Sequence, residues 1–475
     1  MKRLFAIAMV ALCAAAQAGT YYVTPSGTGD GSDWNHAASL ASAAAQADAT
    51  ELKLLAGDYP LTAQMTFGAG RNVRIAGGYT GEGDVRGTEK SVIYRDPSVE
   101  TMRLLEGTSA TLALEGLAFT NGFFKAANYG LAAKFTSCTV SMTDCEVRNN
   151  GPTYGCSTTI MAQGSYYGCV YVSGGSFAAT NTVFADNYFS SYYDSSHFLG
   201  IGLSCESSAR VSLEGCTFYR NRGHLQHHSH SGMGAYFYNC YVTMRGCTFR
   251  ENFCRRRENY AHNDAYGGAF YYYGDGRTLL VEDSLFAGNW MNDTGASSYG
   301  TVYIKAYNSC QPTFVRCVFT GNGVRNPDDP AAEAASARAT DKGQCYFYSR
   351  DKPLLFTNCA FVDTRNDYPS LVFDGGAGAT LHRCTVANGG GYGIEFRTGT
   401  LTLTDSIVWG NANGDILQAA GTTLVTSYCD LQTRARRPTS RSIRFSPPTA
   451  MRTSSRRRGT MRTAASRTAP GRSRF

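Results

Sequence analysis

The chain has 475 residues, 43% of them hydrophobic and 17% charged, with 52 Gly, 16 Cys and a formal net charge of +7. Enough apolar residue is present to bury a core, which excludes a wholly disordered chain, and the absence of any run of eighteen apolar residues excludes a membrane-spanning helix. The positive charge is not spread over the protein: residues 433–475 hold 13 Arg and no Lys, Asp or Glu, while residues 1–432 hold 31 basic against 37 acidic residues. Without Lys2 and Arg3 the remaining body carries −8, which argues against nucleic acid as its partner.

In chain order, residues 1–18 read as a secretory signal: Lys2 and Arg3, a short apolar stretch, then Ala16-Gln17-Ala18 as a small-x-small cleavage pattern. Residues 19–50 read as an N-terminal cap, with a short Ala-rich helix over 36–49 that covers the first strands. From residue 51 to 432 one eleven-residue phrase returns ten times: apolar-x-apolar-x-x-Cys/Ser-x-Phe/Val-x-x-Asn. Clear copies span 140–150, 177–187, 211–221, 242–252, 279–289, 312–322 and 401–411, and looser ones start at Leu112, Leu354 and Ala379. Their sixth positions lie 22 to 42 residues apart, so the phrase is kept while the connections vary. A repeat of this length marks a solenoid whose units bury their apolar face only by stacking.

Within the phrase, Val211 and Leu213 alternate with Ser212 and Glu214, which is strand period. Glu214-Gly215 shifts the phase, and Cys216 and Phe218 resume the inward face. A third apolar run precedes most copies, at 168–172, 200–203, 234–238, 268–273, 300–304, 344–348 and 391–396. Three strands and three corners describe one coil of a parallel β-helix, all-β, with about twelve to thirteen coils at ~4.8 Å each. The terminal Asn suits a left-handed corner and a ladder of side-chain amides along the rod. Phe184, Phe218, Phe249, Phe286 and Phe319 should stack in one internal column. An antiparallel sandwich does not repeat one phrase with one residue type per position.

These residues carry a resemblance. The chain resembles the right-handed parallel β-helix proteins of the pectate-lyase-like superfamily over about residues 19–432. The Phe-x-x-Asn element, with Gly267-Gly268-Ala269-Phe270 ahead of one copy, is similar to the repeats of polymorphic outer membrane proteins. The opening Tyr21-Tyr22-Val23-Thr24-Pro25 through Asp33-Trp34 resembles the entry segment of many secreted bacterial β-helix proteins. The resemblance implies an exported protein at or beyond the outer-membrane surface; it does not choose among lyase, hydrolase, adhesin and passive rod.

Six cysteines at phrase position six should stack inside as free thiols, because side chains in register on parallel strands rarely meet disulfide torsions. Cys138, Cys156, Cys169, Cys205, Cys240, Cys254, Cys310, Cys345 and Cys429 lie elsewhere, and some of these could pair in an exported protein.

Chemistry-bearing residues gather in the connections that follow the Asn corner, expected to rise from one side as a continuous wall. One carries Tyr188, Phe189, Tyr192, Tyr193, His197 and Phe198; the next His224, His227, His228 and His230; the next Arg255, Arg256, Arg257, Glu258, Tyr260, His262 and Asp264; a fourth Trp290. Aromatic rings offer flat contact to sugar faces and Arg pairs with uronate carboxylates. The candidate ligand-binding residues are therefore Tyr192, Tyr193, His197, His224, His228, Arg257, Tyr260 and Trp290, for a polysaccharide or a host or cell-surface glycan. The alternative is that these aromatics pack on one another and close the connections. Catalytic candidates, should the protein be a polysaccharide lyase or glycoside hydrolase, are Arg255, Arg256, Glu258, His262 and Asp264. The reading leans to binding over catalysis, since no paired carboxylates fall on an outward strand; a passive surface rod is a third reading. No cofactor is required. His224, His227, His228 and His230 are weak metal candidates without ligand spacing, and Asp30-Gly31-Ser32-Asp33 offers calcium a contact but suits a capping turn better. The chain is expected to act as a monomer. Residues 433–475 read as an Arg-rich disordered tail, or as an out-of-frame translation of a GC-rich gene, since Arg without Lys among Ser, Thr, Ala and Pro is what shifted GC-rich codons give.

Overall fold

The computed structural model describes residues 19–124, 129–152, 165–191, 197–225, 230–256, 264–291, 297–323, 344–365 and 367–432. The tail expected over 433–475 and the signal expected over 1–18 lie outside the described residues.

Each repeat contributes one strand to each of three long parallel sheets, here called wall 1, wall 2 and wall 3, of 12, 14 and 13 strands. One coil runs Ala235–Tyr238 in wall 1, Tyr241–Arg245 in wall 2 and Thr248–Arg250 in wall 3. The register between coils is the register of the phrase: Val211 pairs with Val242 and Phe218 with Phe249. Side chains therefore stack by phrase position. Phe184, Phe218, Phe249, Phe286, Phe319 and Phe361 form one buried column with centroids 4.4–4.9 Å apart. The phenylalanine rings lie within 10° of parallel, as offset stacks prefer.

The Asn ladder forms, but not as a left-handed corner. Asn150, Asn187, Asn221, Asn252, Asn289 and Asn322 are buried. Each of the first five donates from Nδ2 to the Oδ1 of the next at 2.9–3.0 Å. The left-handed residue is the one before: Asn149, Asp186, Arg220 and Glu251 have φ of 53°, 54°, 49° and 54°. The preceding residue takes the bend, so the amide itself turns inward, where it satisfies backbone groups of two coils at once.

The helix expected over 36–49 is the shorter Leu40–Ala45, capped by Ser39 Oγ accepting from Ser42 N at 3.2 Å. It starts late because the Ala37 and Ala38 carbonyls accept from Gly29 and Thr24, and Ala38 N donates to Tyr22 O. Asp30 and Asp33 form a turn: Asp30 Oδ1 accepts from Ser32 N, and Asp33 Oδ1 from Asn35 N and His36 N.

None of the 14 described cysteines is paired, and all but Cys429 are buried. Cysteines outside the phrase were expected to offer pairs; among the described ones they too point inward. Burial pushes the Cys145 thiol up to about 11 and Cys240 to about 12. Because the thiolate is the reacting form, mass-spectrometric mapping after a short alkylation of native protein should find Cys429 labelled and the 13 buried positions unlabelled. Labelling of Cys216 or Cys317 without denaturant would contradict this packing.

Candidate functional site

The connections after the Asn corner are not plain loops. Their first residues pair coil to coil in a four-stranded parallel ladder, Tyr188–Ser191, Arg222–Leu225, Phe253–Arg256 and Trp290–Met291. Their last residues form a five-stranded ladder, Ser165–Tyr167, His197–Leu199, His230–Ser231, Asp264–Tyr266 and Ser297–Tyr299. The two ladders make a fin inserted between wall 3 and wall 1. Their alternating residues explain it: Phe189, Tyr166 and Phe198 are fully buried, with ring centroids 5.4–6.3 Å apart. The fin has an aromatic interior of its own.

The side of the fin that faces wall 1 is filled. Wall 1 alternates inward Phe237, Tyr272, Ile304 and Phe347 with outward Tyr, giving an outer column Tyr236, Tyr271, Tyr303 and Tyr346 with centroids 4.9–5.4 Å apart. Tyr266 and Tyr299 of the fin pack on this column, Tyr266 at 5.0 Å from Tyr303 and Tyr299 at 5.1 Å from Tyr346. Here the described aromatics pack on one another. A second outward row, Tyr238, Tyr273, Tyr307 and Tyr348, stays partly open, with Tyr238 43% exposed. Tyr238 and Tyr273 stack on each other at 4.7 Å, and both flanking rings lie within 5.5 Å of Tyr307. This row therefore offers ring edges and hydroxyls rather than free ring faces.

On the side that faces wall 3, the described residues leave a pocket at the base of the fin, of about 470 Å³, lined by Asn121, Asn149, Asp186, Tyr188, Arg220 and Arg222, among others. The left-handed corner positions supply Asn121, Asn149, Asp186 and Arg220, which turns their side chains away from the core. Arg220 grips Asp186 with Nε–Oδ1 at 2.8 Å and Nη2–Oδ2 at 3.1 Å. That contact holds the guanidinium above its ordinary pKa. Arg220 and Arg250 each lie 4.4 Å from the Tyr219 ring centroid, one coil supporting the next. From the fin, Tyr188 brings its hydroxyl to 3.5 Å from His224 Nδ1. Amide, carboxylate, guanidinium and phenol converge here, a set able to give and accept several hydrogen bonds to one polar ligand.

The residues expected to bind or react are distributed over this fin. His224 and Arg255 are register partners in the four-stranded ladder, as are Leu225 and Arg256. Asp264 sits on the five-stranded ladder, paired with Ser297, so Arg255 and Asp264 are not neighbours in one ladder. His197 pairs with Ser165, and His230 with Phe198 and Ala265. Trp290 is a correction: it is buried, and the Arg365 guanidinium lies 5.1 Å from its ring centroid, so its face is not free for a ligand. Tyr192, Tyr193, His227, His228, Arg257, Glu258, Tyr260 and His262 lie outside the described residues. Among the described residues, no three His, Cys, Asp or Glu side chains gather as a metal site. Sequence reasoning missed Asn149, Asp186 and Arg220. The signal was present as polar residues at phrase position ten, immediately before the buried Asn.

Residues 257–430 match the family model for the right handed beta helix region. The chain is a right-handed parallel β-helix. No curated protein matches it. Solved structures similar to this β-helix include the catalytic domain of a GH87 α-1,3-glucanase in complex with tetrasaccharides, at 13% identity and TM-score 0.39 over 86% of this chain and 69% of that one. The pectate lyase Pel9A is 12% identical with TM-score 0.29 over 87% and 78%. PfbA, a surface adhesin of Streptococcus pneumoniae, is 9% identical with TM-score 0.32 over 82% and 87%. Among the described residues, no helix of this β-helix is long and apolar enough to cross a membrane.

Proposed function

We propose that this is an exported β-helix protein that binds a glycan on the wall 3 side of its fin, in an adhesive or glycan-holding role. The signal-like residues 1–18 support export. The pocket carries the binding reading: Asp186 and Arg220 are fixed to each other, Asn149 is exposed beside them, and Tyr188 closes the fin side. A sugar hydroxyl donates to a carboxylate and accepts from a guanidinium or amide, so a paired Asp and Arg meet both needs. Beyond the pocket, His224 lies in register with Arg255 of the next strand of the fin.

A glycan array with wild-type protein, followed by affinity measurements on the best ligand, tests this. Arg220→Ala and Asp186→Asn are each expected to weaken binding by about tenfold or more, since a charge-assisted hydrogen bond contributes about 1.5–3 kcal/mol. Reducing-end and unsaturated-product assays on the same ligand should show no turnover. Binding unchanged in both variants would remove the pocket from the account, and no glycan bound at all would leave a passive rod.

A further inference from the structure

We infer that the outer face of wall 2, the wall opposite the fin corner, is a second binding surface that takes an acidic polysaccharide. The face is a trough. Its floor is a register row of small residues, Ala113, Ser141, Ala178, Ser212 and Thr243, one per coil. Beside it runs a second row, Thr111, Thr139, Ser176, Arg210 and Tyr241. The depression is shallow and open, with a volume of about 520 Å³, and is bounded mainly by these two rows. Larger residues stop it at both ends: Arg74 pairs with Ala113 at one, and Leu280 with Thr243 at the other. Five coils at ~4.8 Å give a trough roughly 20 Å long, which suits an extended polymer more than a single small molecule.

One end of the trough is cationic in a way the rest of the trough is not. Tyr241 stands between two guanidinium groups, Arg210 at 4.7 Å and Arg277 at 5.0 Å from its ring centroid. Arg277 Nη2 donates to Ser208 Oγ at 2.9 Å, while its Nε is buried with no acceptor. Neither guanidinium has a carboxylate within ion-pair distance among the described residues. Three other arginines of this wall and its corner are neutralised: Arg74 by Glu51 and Glu115, Arg245 by Glu282, Arg316 by Asp283. In a body of charge −8, two arginines held rigid by one ring and left without a counter-ion fit a ligand that brings its own anion. The Ser and Thr hydroxyls along the trough match sugar hydroxyls. Two cations on an otherwise acidic body fit carboxylates spaced along a polysaccharide, and not the continuous phosphates of a nucleic acid.

The test is binding of full-length protein to immobilised polygalacturonate at low and moderate salt, with dextran as the neutral polymer and poly-U RNA as the competing polyanion. Wild-type protein is expected to bind polygalacturonate, more weakly as salt rises, and to leave dextran and RNA unbound at this face. The double variant R210A/R277A should lose at least tenfold. Ser212→Trp fills the trough while keeping both guanidiniums and should also lose binding; it covers the case in which the double variant is not folded by circular dichroism. Because residues 433–475 add 13 Arg that hold polyanions unselectively, the deciding readout is the loss on substitution: wild-type affinity for polygalacturonate in Ser212→Trp, an equal loss of poly-U binding in the variants, or no binding of polygalacturonate overturns the inference. The trough shares no residue with the fin pocket, so either site can fail without the other.

Discussion

Phe249→Ala is expected to destabilise the protein by about 3–5 kcal/mol, as large aromatic truncations in closed cores do. Phe249 is fully buried, with Phe218 at 4.4 Å on one face, Phe286 at 4.9 Å on the other, and Phe270 edge-on at 5.7 Å. Removing the ring takes away its transfer free energy and both stacks, each about 0.5–1.5 kcal/mol, and the neighbours are fixed by their own coils and cannot collapse inward. Phe249→Leu should recover about half. Urea unfolding measures both, and hydrogen exchange should place the added opening in the coils around residue 249, because a solenoid is held by nearest neighbours. A loss below about 1 kcal/mol for the alanine variant would mean that the column is not one packed stack.

The second large effect is electrostatic. Asn252 Nδ2 donates to Phe218 O at 2.9 Å and to Asn289 Oδ1 at 3.0 Å; its Oδ1 accepts from Asn221 N at 3.2 Å and from Asn221 Nδ2 at 3.0 Å. Asn252→Ala removes all four bonds, and the groups left without a partner cost about 1–3 kcal/mol each, so a loss of about 3 kcal/mol or more is expected. Asn252→Asp keeps the shape, but an ionised carboxylate has nothing to donate to Asn289 Oδ1 and is buried without a counter-charge. Its folded-state pKa is expected to rise above the ordinary ~3.9. A raised acid binds its proton more tightly in the folded state, so stability falls as pH rises through the range above that ordinary value. Thermal melts should show Asn252→Asp more stable at pH 4.5 than at pH 8, relative to wild type. No such slope would place the amide in contact with water.

The coil was legible because its signal is chemical as well as periodic. Phe at position eight and Asn at position eleven each demand a like neighbour above and below, so repetition of residue type reported the stacking directly. The bend was misplaced by one residue because Asn suits a left-handed corner and a buried amide equally well by composition; only the backbone groups it must satisfy decide between them. The helix came out short because Ala37 and Ala38 were needed as strand partners. The fin was harder. Its strands are two to four residues long, too short for alternation to stand out. Tyr188-Phe189-Ser190 and His197-Phe198-Leu199 drew notice for their chemistry and not for their shared buried centre. The tyrosine rows were hidden for a related reason: in Ala235-Tyr236-Phe237-Tyr238 every residue is apolar enough to read as core, although alternate ones face outward.

The fin also bears on how such a protein can change. Its two ladders, of four and five strands, are spliced into one corner of a run of successive coils, and the three walls keep their own pairing around it. The chain between Ser191 and His197, or between Met291 and Ser297, can therefore be exchanged on one rung without disturbing the rungs above and below. An engineer could therefore graft foreign peptides at these junctions, one rung at a time, and leave the pairing of the three walls as it is.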